Sequence, residues 1–215
     1  MFIKLNEPKW WHYLLELSND FVAKNHFLSK TIPVTADIFV FTYPAYLVFL
    51  YLYWVYNRDV NYKYASLYIF FSWVWSMVIS QTFQFLVIKD RPEDHVSSKK
   101  NLILEHLPDI SFPSDHMTLS MAIATSSLLW WVKTKNKLFI NISFLLFIFS
   151  FVMWFSRVAW GVHWPTDIIA WFFLWIFTAA LFIHSKVFAF FKRFLYDPLI
   201  KIQKFIFEKL FKIKE

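Results

Sequence analysis

The sequence predicts an all-α, multi-pass integral membrane bundle of about five transmembrane spans, with amphipathic helices near both ends of the chain. Hydrophobic residues make up 58% of the 215 positions and aromatic residues 23%. Both shares are higher than in most soluble globular proteins. The apolar residues gather in long stretches, and a chain of this length cannot bury so many apolar helices among themselves. A soluble helical protein is therefore disfavoured.

The five apolar stretches are residues 38–56, 64–88, 117–132, 138–155 and 168–183. A helix needs about 20 mostly apolar residues to cross the hydrocarbon core. The second stretch meets this length alone and carries no charge. The shorter stretches reach it when their polar flanking turns are counted, with tryptophans at their ends as interfacial anchors.

Residues 8–31 carry charges throughout, and their apolar residues recur at helical spacing. This pattern predicts an amphipathic helix in the membrane interface, with a weakly hydrophobic sixth span as the alternative. We therefore divide the chain into an N-terminal interfacial segment (1–33), a transmembrane domain (34–185) and a basic amphipathic cytoplasmic tail (186–215).

Charge orients the spans. The loop at residues 133–137, KTKNK, has three lysines and no acid, and the tail is also basic. The positive-inside rule puts both on the cytoplasmic side, so residues 89–115 and 157–167 share the opposite side. A tail lying on anionic lipid explains the net charge of +7 without a nucleic-acid partner. No recognisable nucleic-acid motif accompanies it.

The stretch SRVAWGVHWPTD, residues 156–167, holds chemistry that is unusual beside a membrane span. His163 and Asp167 are four residues apart, and Pro165 predicts that a helix begins there. Asp167 can then reach back and orient His163, which leaves one ring nitrogen free to attack or to take a proton. Arg157 supplies a planar fork of donors suited to phosphate.

The stretch FPSDH, residues 112–116, predicts a second helix start. The free N–H groups of that helix would face an anion, and Ser114 adds a hydroxyl. His116 would lie in the first turn, placed as an acid for a departing oxygen. Asp115 would cap the helix or tune His116, and the sequence does not choose between these roles.

The stretch KDRP, residues 89–92, ends the second apolar stretch with two cations, Lys89 and Arg91. Nearby carboxylates do not follow a recognisable metal-ligand spacing, and cations would compete for the pocket. The chain has no cysteine, which excludes a thiolate site. We therefore expect neither a metal nor a cofactor. The cations, the helix N-terminus, the hydroxyl and the two histidines together fit phosphoryl transfer.

These three stretches resemble the motif blocks of the type 2 phosphatidic acid phosphatase superfamily, over about residues 34–185. The third block has Ser and Arg, then His and Asp, and its spacing is intact here at Ser156, Arg157, His163 and Asp167. The resemblance implies that His163 is a nucleophile forming a phosphohistidine.

The remaining roles also follow from the resemblance. Asp167 orients the nucleophile and His116 protonates the leaving group. The phosphate is held by Arg91, Ser114 and Arg157, with N–H groups near Asp115.

Two positions depart from the family pattern. Gln84 stands where the first block has a lysine, so that one phosphate ligand is missing or Lys89 substitutes for it. Asp115 replaces a glycine. The runs DRP and FPSDH are similar to the undecaprenyl-diphosphate phosphatase branch of bacteria.

The branch implies a polyprenyl diphosphate substrate, trimmed to the monophosphate at a bacterial plasma membrane, with the site on the extracytoplasmic side. Recycling of the carrier lipid for the cell envelope would follow. Phosphatidylglycerophosphate, phosphatidate and lipid A remain alternative substrates. A catalytically silent lipid-binding or transport protein is the alternative of another class, and Gln84 is the feature that favours it.

Overall fold

The structure is a computed structural model that describes residues 3–4, 6–57, 59–90, 92, 112 and 114–211. The described α-helices are α1 (Lys9–Lys24), α2 (His26–Ile38), α3 (Thr42–Asn57), α4 (Val60–Leu86), α5 (Asp115–Thr134), α6 (Lys137–Ala159), α7 (Pro165–Ile183), α8 (Ser185–Phe191) and α9 (Asp197–Phe211). A 3-10 turn joins α2 to α3, and a π-helical turn joins α8 to α9. Two parallel two-residue strands, β1 (Ile3–Lys4) and β2 (Val87–Ile88), complete an otherwise helical fold.

Four helical stretches in the described part of the chain are long and apolar enough to cross a membrane. They are His26–Asn57, which combines α2 and α3, Val60–Leu86, Lys137–Ala159 and Pro165–Ile183. The fifth helix of the bundle, α5, has 20 residues and is about 30 Å long. It packs against α4, α6 and α7 at the centre of the bundle. The predicted helical membrane bundle is confirmed, with one of its five long helices enclosed by the others.

Enclosure explains why α5 is less apolar than its neighbours. Its buried face carries serine and threonine, which let helices approach closely inside a membrane. Ser127 of α5 lies 2.6 Å from the hydroxyl of Tyr46 on α3 and 2.7 Å from Ser143 on α6, oxygen to oxygen. These three hydroxyls satisfy one another inside the bundle.

The N-terminal helix α1 packs beside the loop between α6 and α7. Leu15 packs against Trp164, and Asn19 donates a hydrogen bond to the carbonyl of Trp160 over 3.2 Å. The α1 side chains Leu14, Leu17 and Phe21 are exposed on one face, as in an interfacial helix. The following helix, α2, begins at His26 and runs across the boundary predicted between residues 33 and 34.

The C-terminal helices lie at the other end of the bundle. Asp197 accepts a hydrogen bond from Tyr64 at the start of α4, and Gln203 donates one to Tyr51 in α3. The Lys133 ammonium lies over the ring of Phe188, 5.5 Å from its centroid. The two basic segments that the sequence analysis assigns to one side, residues 133–137 and the tail, are therefore neighbours.

Candidate active site

The chain reverses between α6 and α7 through the single glycine of the sequence, Gly161. Gly161 has φ 80° and donates to the carbonyl of Val158 over 2.9 Å. Val162 donates to the carbonyl of Arg157 over 3.0 Å, which completes a Schellman motif at the end of α6. A residue with a Cβ is strained at this φ, so glycine is favoured here. The reversal carries His163 back toward Arg157.

Asp167 lies in the first turn of α7, whose start near Pro165 the sequence predicted. The helix begins at Pro165, and Oδ2 of Asp167 accepts a hydrogen bond from the backbone N–H of Trp164 over 3.0 Å. The same oxygen lies 3.6 Å from Nδ1 of His163, longer than a hydrogen bond but within ion-pair distance. Asp167 is fully buried, so its charge acts on His163 with little screening by water.

The other nitrogen of His163 faces a cation. Nε2 lies 3.3 Å from Nη2 of Arg157, and both side chains are buried. A tautomer with its proton on Nδ1 places that proton toward Asp167 and a lone pair on Nε2. In that tautomer a ring nitrogen with a free lone pair lies beside a guanidinium.

The helix start predicted at FPSDH is also present, since α5 begins at Asp115 with Ser114 as its N-cap residue. Ser114 makes no side-chain cap bond, and its Oγ is buried with no hydrogen-bond partner among the described residues. A buried hydroxyl next to the free N–H groups of a helix is suited to a phosphate oxygen. His116 lies in the first turn with its side chain 14% exposed.

Asp37, in the last turn of α2, is a member of the site that the sequence analysis missed. Its Oδ1 accepts a hydrogen bond from Nη1 of Arg157 over 2.7 Å. The same oxygen lies 3.4 Å from Nε2 of His116. One signal could have revealed it: a carboxylate directly before the first apolar stretch is unusual at the edge of a membrane span.

Lys89 lies behind Asp167. Its ammonium donates to Oδ1 of Asp167 and pairs with Oε1 of Glu7, and it donates to Thr166 over 2.8 Å. The side chains of Lys89 and Glu7 are 4% and 5% exposed. The predicted phosphate ligand therefore contacts two carboxylates, and Glu7 is a second residue that the sequence analysis missed.

Gln84, at the family's lysine position, contacts the other departure from the pattern. Its Nε2 donates to Oδ1 of Asp115 over 2.9 Å, and Gln81 donates to the same oxygen over 3.2 Å. Asp115 is exposed, unlike Asp37 and Asp167. The two departures thus form one hydrogen-bonded group at the rim of the site.

The contacts join six side chains into one continuous series, with each link at 3.6 Å or less. In order they are Lys89, Asp167, His163, Arg157, Asp37 and His116. Arg91, predicted to hold phosphate, lies outside the described residues, as does Pro113 of the second block. In the described part of the chain no group of three or more His, Cys, Asp or Glu side chains is placed to hold a metal ion.

This arrangement can be compared with known proteins. Residues 65–191, more than half of the 215-residue chain, match the family model of the PAP2 superfamily. The chain belongs to the PAP2 superfamily. The expected family is confirmed, and all three motif blocks fall within the matched residues.

Two curated relatives of this PAP2 protein are bacterial. It is 28% identical over 168 residues to undecaprenyl-diphosphatase BcrC of Bacillus subtilis (strain 168). The aligned residues cover 78% of this chain and 80% of BcrC. It is 36% identical over 94 residues to the putative undecaprenyl-diphosphatase YbjG of Escherichia coli (strain K12), covering 44% of this chain and 43% of YbjG. No solved structure matches the chain.

PAP2 membership and the helical spans make this chain a membrane-embedded phosphatase. Asp37 and Glu7 lie outside the matched residues and are additions to the family's motif positions in this structure.

Proposed function

We propose that this PAP2 phosphatase hydrolyses a polyprenyl diphosphate, specifically undecaprenyl diphosphate, to the monophosphate and inorganic phosphate through a phosphohistidine. The observation that carries the proposal is the series of contacts from Lys89 to His116, which places two histidines on either side of one arginine. A nucleophile and an acid that flank a phosphate-binding cation are what a two-step phosphoryl transfer requires.

His163 is the proposed nucleophile. Its Nε2 attacks the terminal phosphorus, while Asp167 holds the proton on Nδ1 and stabilises the positive charge that develops on the ring. Lys89 and the N–H of Trp164 hold the carboxylate of Asp167 in place. The product of this step is a phosphohistidine at His163 and a lipid monophosphate.

Three groups receive the phosphate in this proposal. Arg157 stabilises charge on the equatorial oxygens, and Ser114 donates its unused hydroxyl together with the N–H groups at the start of α5. Arg91 contributes a further cation through the resemblance to the family motif. Lys89 acts through Asp167 instead of on the phosphate, because its described contacts are with Glu7, Thr166 and Asp167.

His116 is the proposed acid and base. It gives its proton to the bridging oxygen as the phosphorus–oxygen bond to the lipid monophosphate breaks. In the second step it takes a proton from a water molecule, which attacks the phosphohistidine and releases inorganic phosphate and His163. We propose that the charged side chains supply the needed positive charge, so no metal ion takes part.

The substrate is argued from two observations. BcrC and YbjG carry undecaprenyl-diphosphatase in their names, and the chain aligns with most of BcrC. The bonded pair Gln84 and Asp115 replaces a cation and a glycine together, which is consistent with a distinct branch instead of a decayed site. The product would return to the carrier-lipid pool for cell-envelope synthesis in a bacterial plasma membrane.

We propose that the site opens on the extracytoplasmic side. The basic loop and the basic tail lie together at the far end of α5, about 30 Å from His116. The positive-inside rule assigns that far end to the cytoplasm. The lipid tail would lie among the spans while its diphosphate reaches the site.

The test measures phosphate release from undecaprenyl diphosphate by the purified full-length protein in detergent, with and without EDTA. We expect release that EDTA does not change and that His163→Ala abolishes. His184→Ala is the matched control, because His184 is exposed at the end of α7 farthest from the site and should retain wild-type release.

The other outcomes are decisive as well. Release only from phosphatidate, phosphatidylglycerophosphate or lipid A would keep the chemistry and overturn the substrate. Release that EDTA stops would overturn the proposed metal independence. A wild-type protein that binds lipid and releases no phosphate from any of these lipids would be a lipid-binding or transport protein.

A further inference from the structure

Asp37 is a fully buried carboxylate that lies outside the residues matched by the PAP2 family. It contacts both the proposed phosphate ligand and the proposed acid: its Oδ1 accepts from Arg157 over 2.7 Å and lies 3.4 Å from Nε2 of His116. A buried carboxylate is costly unless it is paired, and Arg157 provides that pair. The ion pair with Arg157 explains why Asp37 can be buried. It does not explain why Oδ1 of Asp37 also lies beside His116.

The surroundings of Asp37 repeat those of Asp167. Asp167 pairs with a cation, Lys89, and faces a histidine, His163. Asp37 pairs with a cation, Arg157, and faces the other histidine, His116. Both carboxylates are 0% exposed. The site therefore holds two histidine–aspartate pairs, of which the family motif supplies only one.

We propose that Asp37 is a positioning residue for His116 and forms the second histidine–aspartate pair of the site. This inference rests on the proposed function, since it assigns a role within the same reaction. The carboxylate holds a proton on Nε2 of His116 and leaves Nδ1 to donate to the leaving oxygen. It also stabilises the imidazolium form that an acid requires.

A second consequence concerns geometry. Because one oxygen of Asp37 contacts both Arg157 and His116, it fixes the acid relative to the cation that stabilises the phosphate. A proton donor that is held at a set distance from the phosphate loses less entropy on reaching the transition state. The N-terminal helices thereby become part of the catalytic unit, since α2 carries Asp37.

Other charges surround this end of α5. The charged and titratable side chains around the site include Glu7, Asp37, Lys89, Asp115, Arg157, His163 and Asp167. Farther out, His12 packs against Trp164, and Lys4 forms an exposed ion pair with Asp90. Glu7, Lys89 and Asp167 pair among themselves, and Asp115 is exposed and bound by two glutamines. Asp37 is thus the buried anion whose removal should change the protonation of His116 most.

The test compares the pH dependence of kcat in wild type, Asp37→Asn and Asp37→Glu, with the full-length protein in detergent. Asp37→Asn removes the charge that stabilises the His116 imidazolium, so the acid loses its proton at lower pH. We expect the fall of kcat on the alkaline side of its pH profile, the alkaline limb, to move to lower pH by about one unit. We also expect kcat to fall about 10- to 100-fold. Asp37→Glu, which keeps the charge, should restore the position of the limb.

Thr35→Val is the matched control. Thr35 bonds Ser156 of α6 over 2.7 Å from the same helix as Asp37, so this variant disturbs the contact between α2 and α6 without touching His116. Its alkaline limb should stay at the wild-type pH. A purely structural role for Asp37 predicts that Asp37→Asn behaves like Thr35→Val, and that result would overturn the proposal.

Nitrogen-15 NMR of the histidine rings separates this inference from the proposed function. In wild-type protein the neutral His116 ring should carry its proton on Nε2, the nitrogen that faces Asp37, whether or not any lipid is hydrolysed. The His116 signal is identified by its loss in His116→Gln. If the neutral ring carries its proton on Nδ1, the pairing is disproved even where Asp37→Asn does not fold. Absence of phosphate release with the proton on Nε2 would overturn only the proposed function.

Discussion

Lys89 and Asp167 form a buried ion pair that joins the segment after α4 to the first turn of α7. Lys89 is 4% exposed and Asp167 is 0% exposed. The pair brings the first motif block to the third across 78 positions of sequence. A lysine expected at the phosphate therefore pairs with the carboxylate that faces the proposed nucleophile, and this changes what its removal should do.

Lys89→Met should lower kcat and leave KM nearly unchanged, because Lys89 acts on Asp167 and not on the substrate in our proposal. It should also lower stability by about 3 kcal/mol or more, since it leaves two buried carboxylates without their cation. The measurements are the kinetics of phosphate release and the thermal unfolding midpoint in detergent. Lys4→Met is the control, because Lys4 forms an exposed ion pair with Asp90 at 3.7 Å. A raised KM with unchanged kcat would show that Lys89 binds phosphate after all.

The hydrogen bond between Gln84 and Asp115 can be tested by restoring the family's lysine at position 84. Gln84→Lys should leave kcat/KM within about threefold of wild type, because the new ammonium pairs with Asp115 at a partly exposed site. The double variant Gln84→Lys, Asp115→Ala has no carboxylate at position 115, so the new ammonium is expected to bind the substrate phosphate instead. We expect KM to fall in the double variant only. The check is a four-variant cycle of steady-state kinetics, and additive effects would refute the coupling.

How far the sequence predicts this site depends on how local each signal is. The starts of α5 and α7 were predictable from Ser114, Asp115 and Pro165, because capping and first-turn preferences act over a few residues. The turn of Asp167 toward His163 follows from the same local geometry. These signals do not depend on the rest of the fold.

The contacts that the sequence did not predict are long-range. Asp37 reaches Arg157 across 120 positions, and Glu7 reaches Thr166 across 159. The position of Asp37 before an apolar stretch is unusual, but the partners of Asp37 and Glu7 become known only from the packing of α2 and the N-terminal segment. The enclosed position of α5 was hidden for the same reason, since hydrophobicity alone cannot tell a lipid-facing helix from one surrounded by other helices.

Gly161→Ala tests the backbone reversal before His163. A Cβ at φ 80° costs about 1–2 kcal/mol, and relief of that strain would displace His163 two residues later. We expect a lower thermal midpoint and a lower kcat.

Lys135→Gly is the matched control for Gly161→Ala. Lys135 ends α5 in the same left-handed region, at φ 58°, in the loop at the opposite end of the bundle. Glycine there should raise stability by about 0.5–1 kcal/mol and leave kcat unchanged. A Gly161→Ala protein as stable and as active as wild type would mean that the reversal tolerates a side chain.

The side of the membrane on which the site opens can be tested with single cysteines, because the sequence of 215 residues contains none. Ala23 is exposed on the polar face of α1, at the end of the bundle that holds the site, and Thr134 is exposed at the far end of α5. In intact cells a membrane-impermeant maleimide should label Ala23→Cys and spare Thr134→Cys until the cells are opened. Both substitutions are neutral and leave the charges that orient the spans unchanged. The reverse labelling would place the site in the cytoplasm, and a substrate presented on the outer leaflet could then not reach His163.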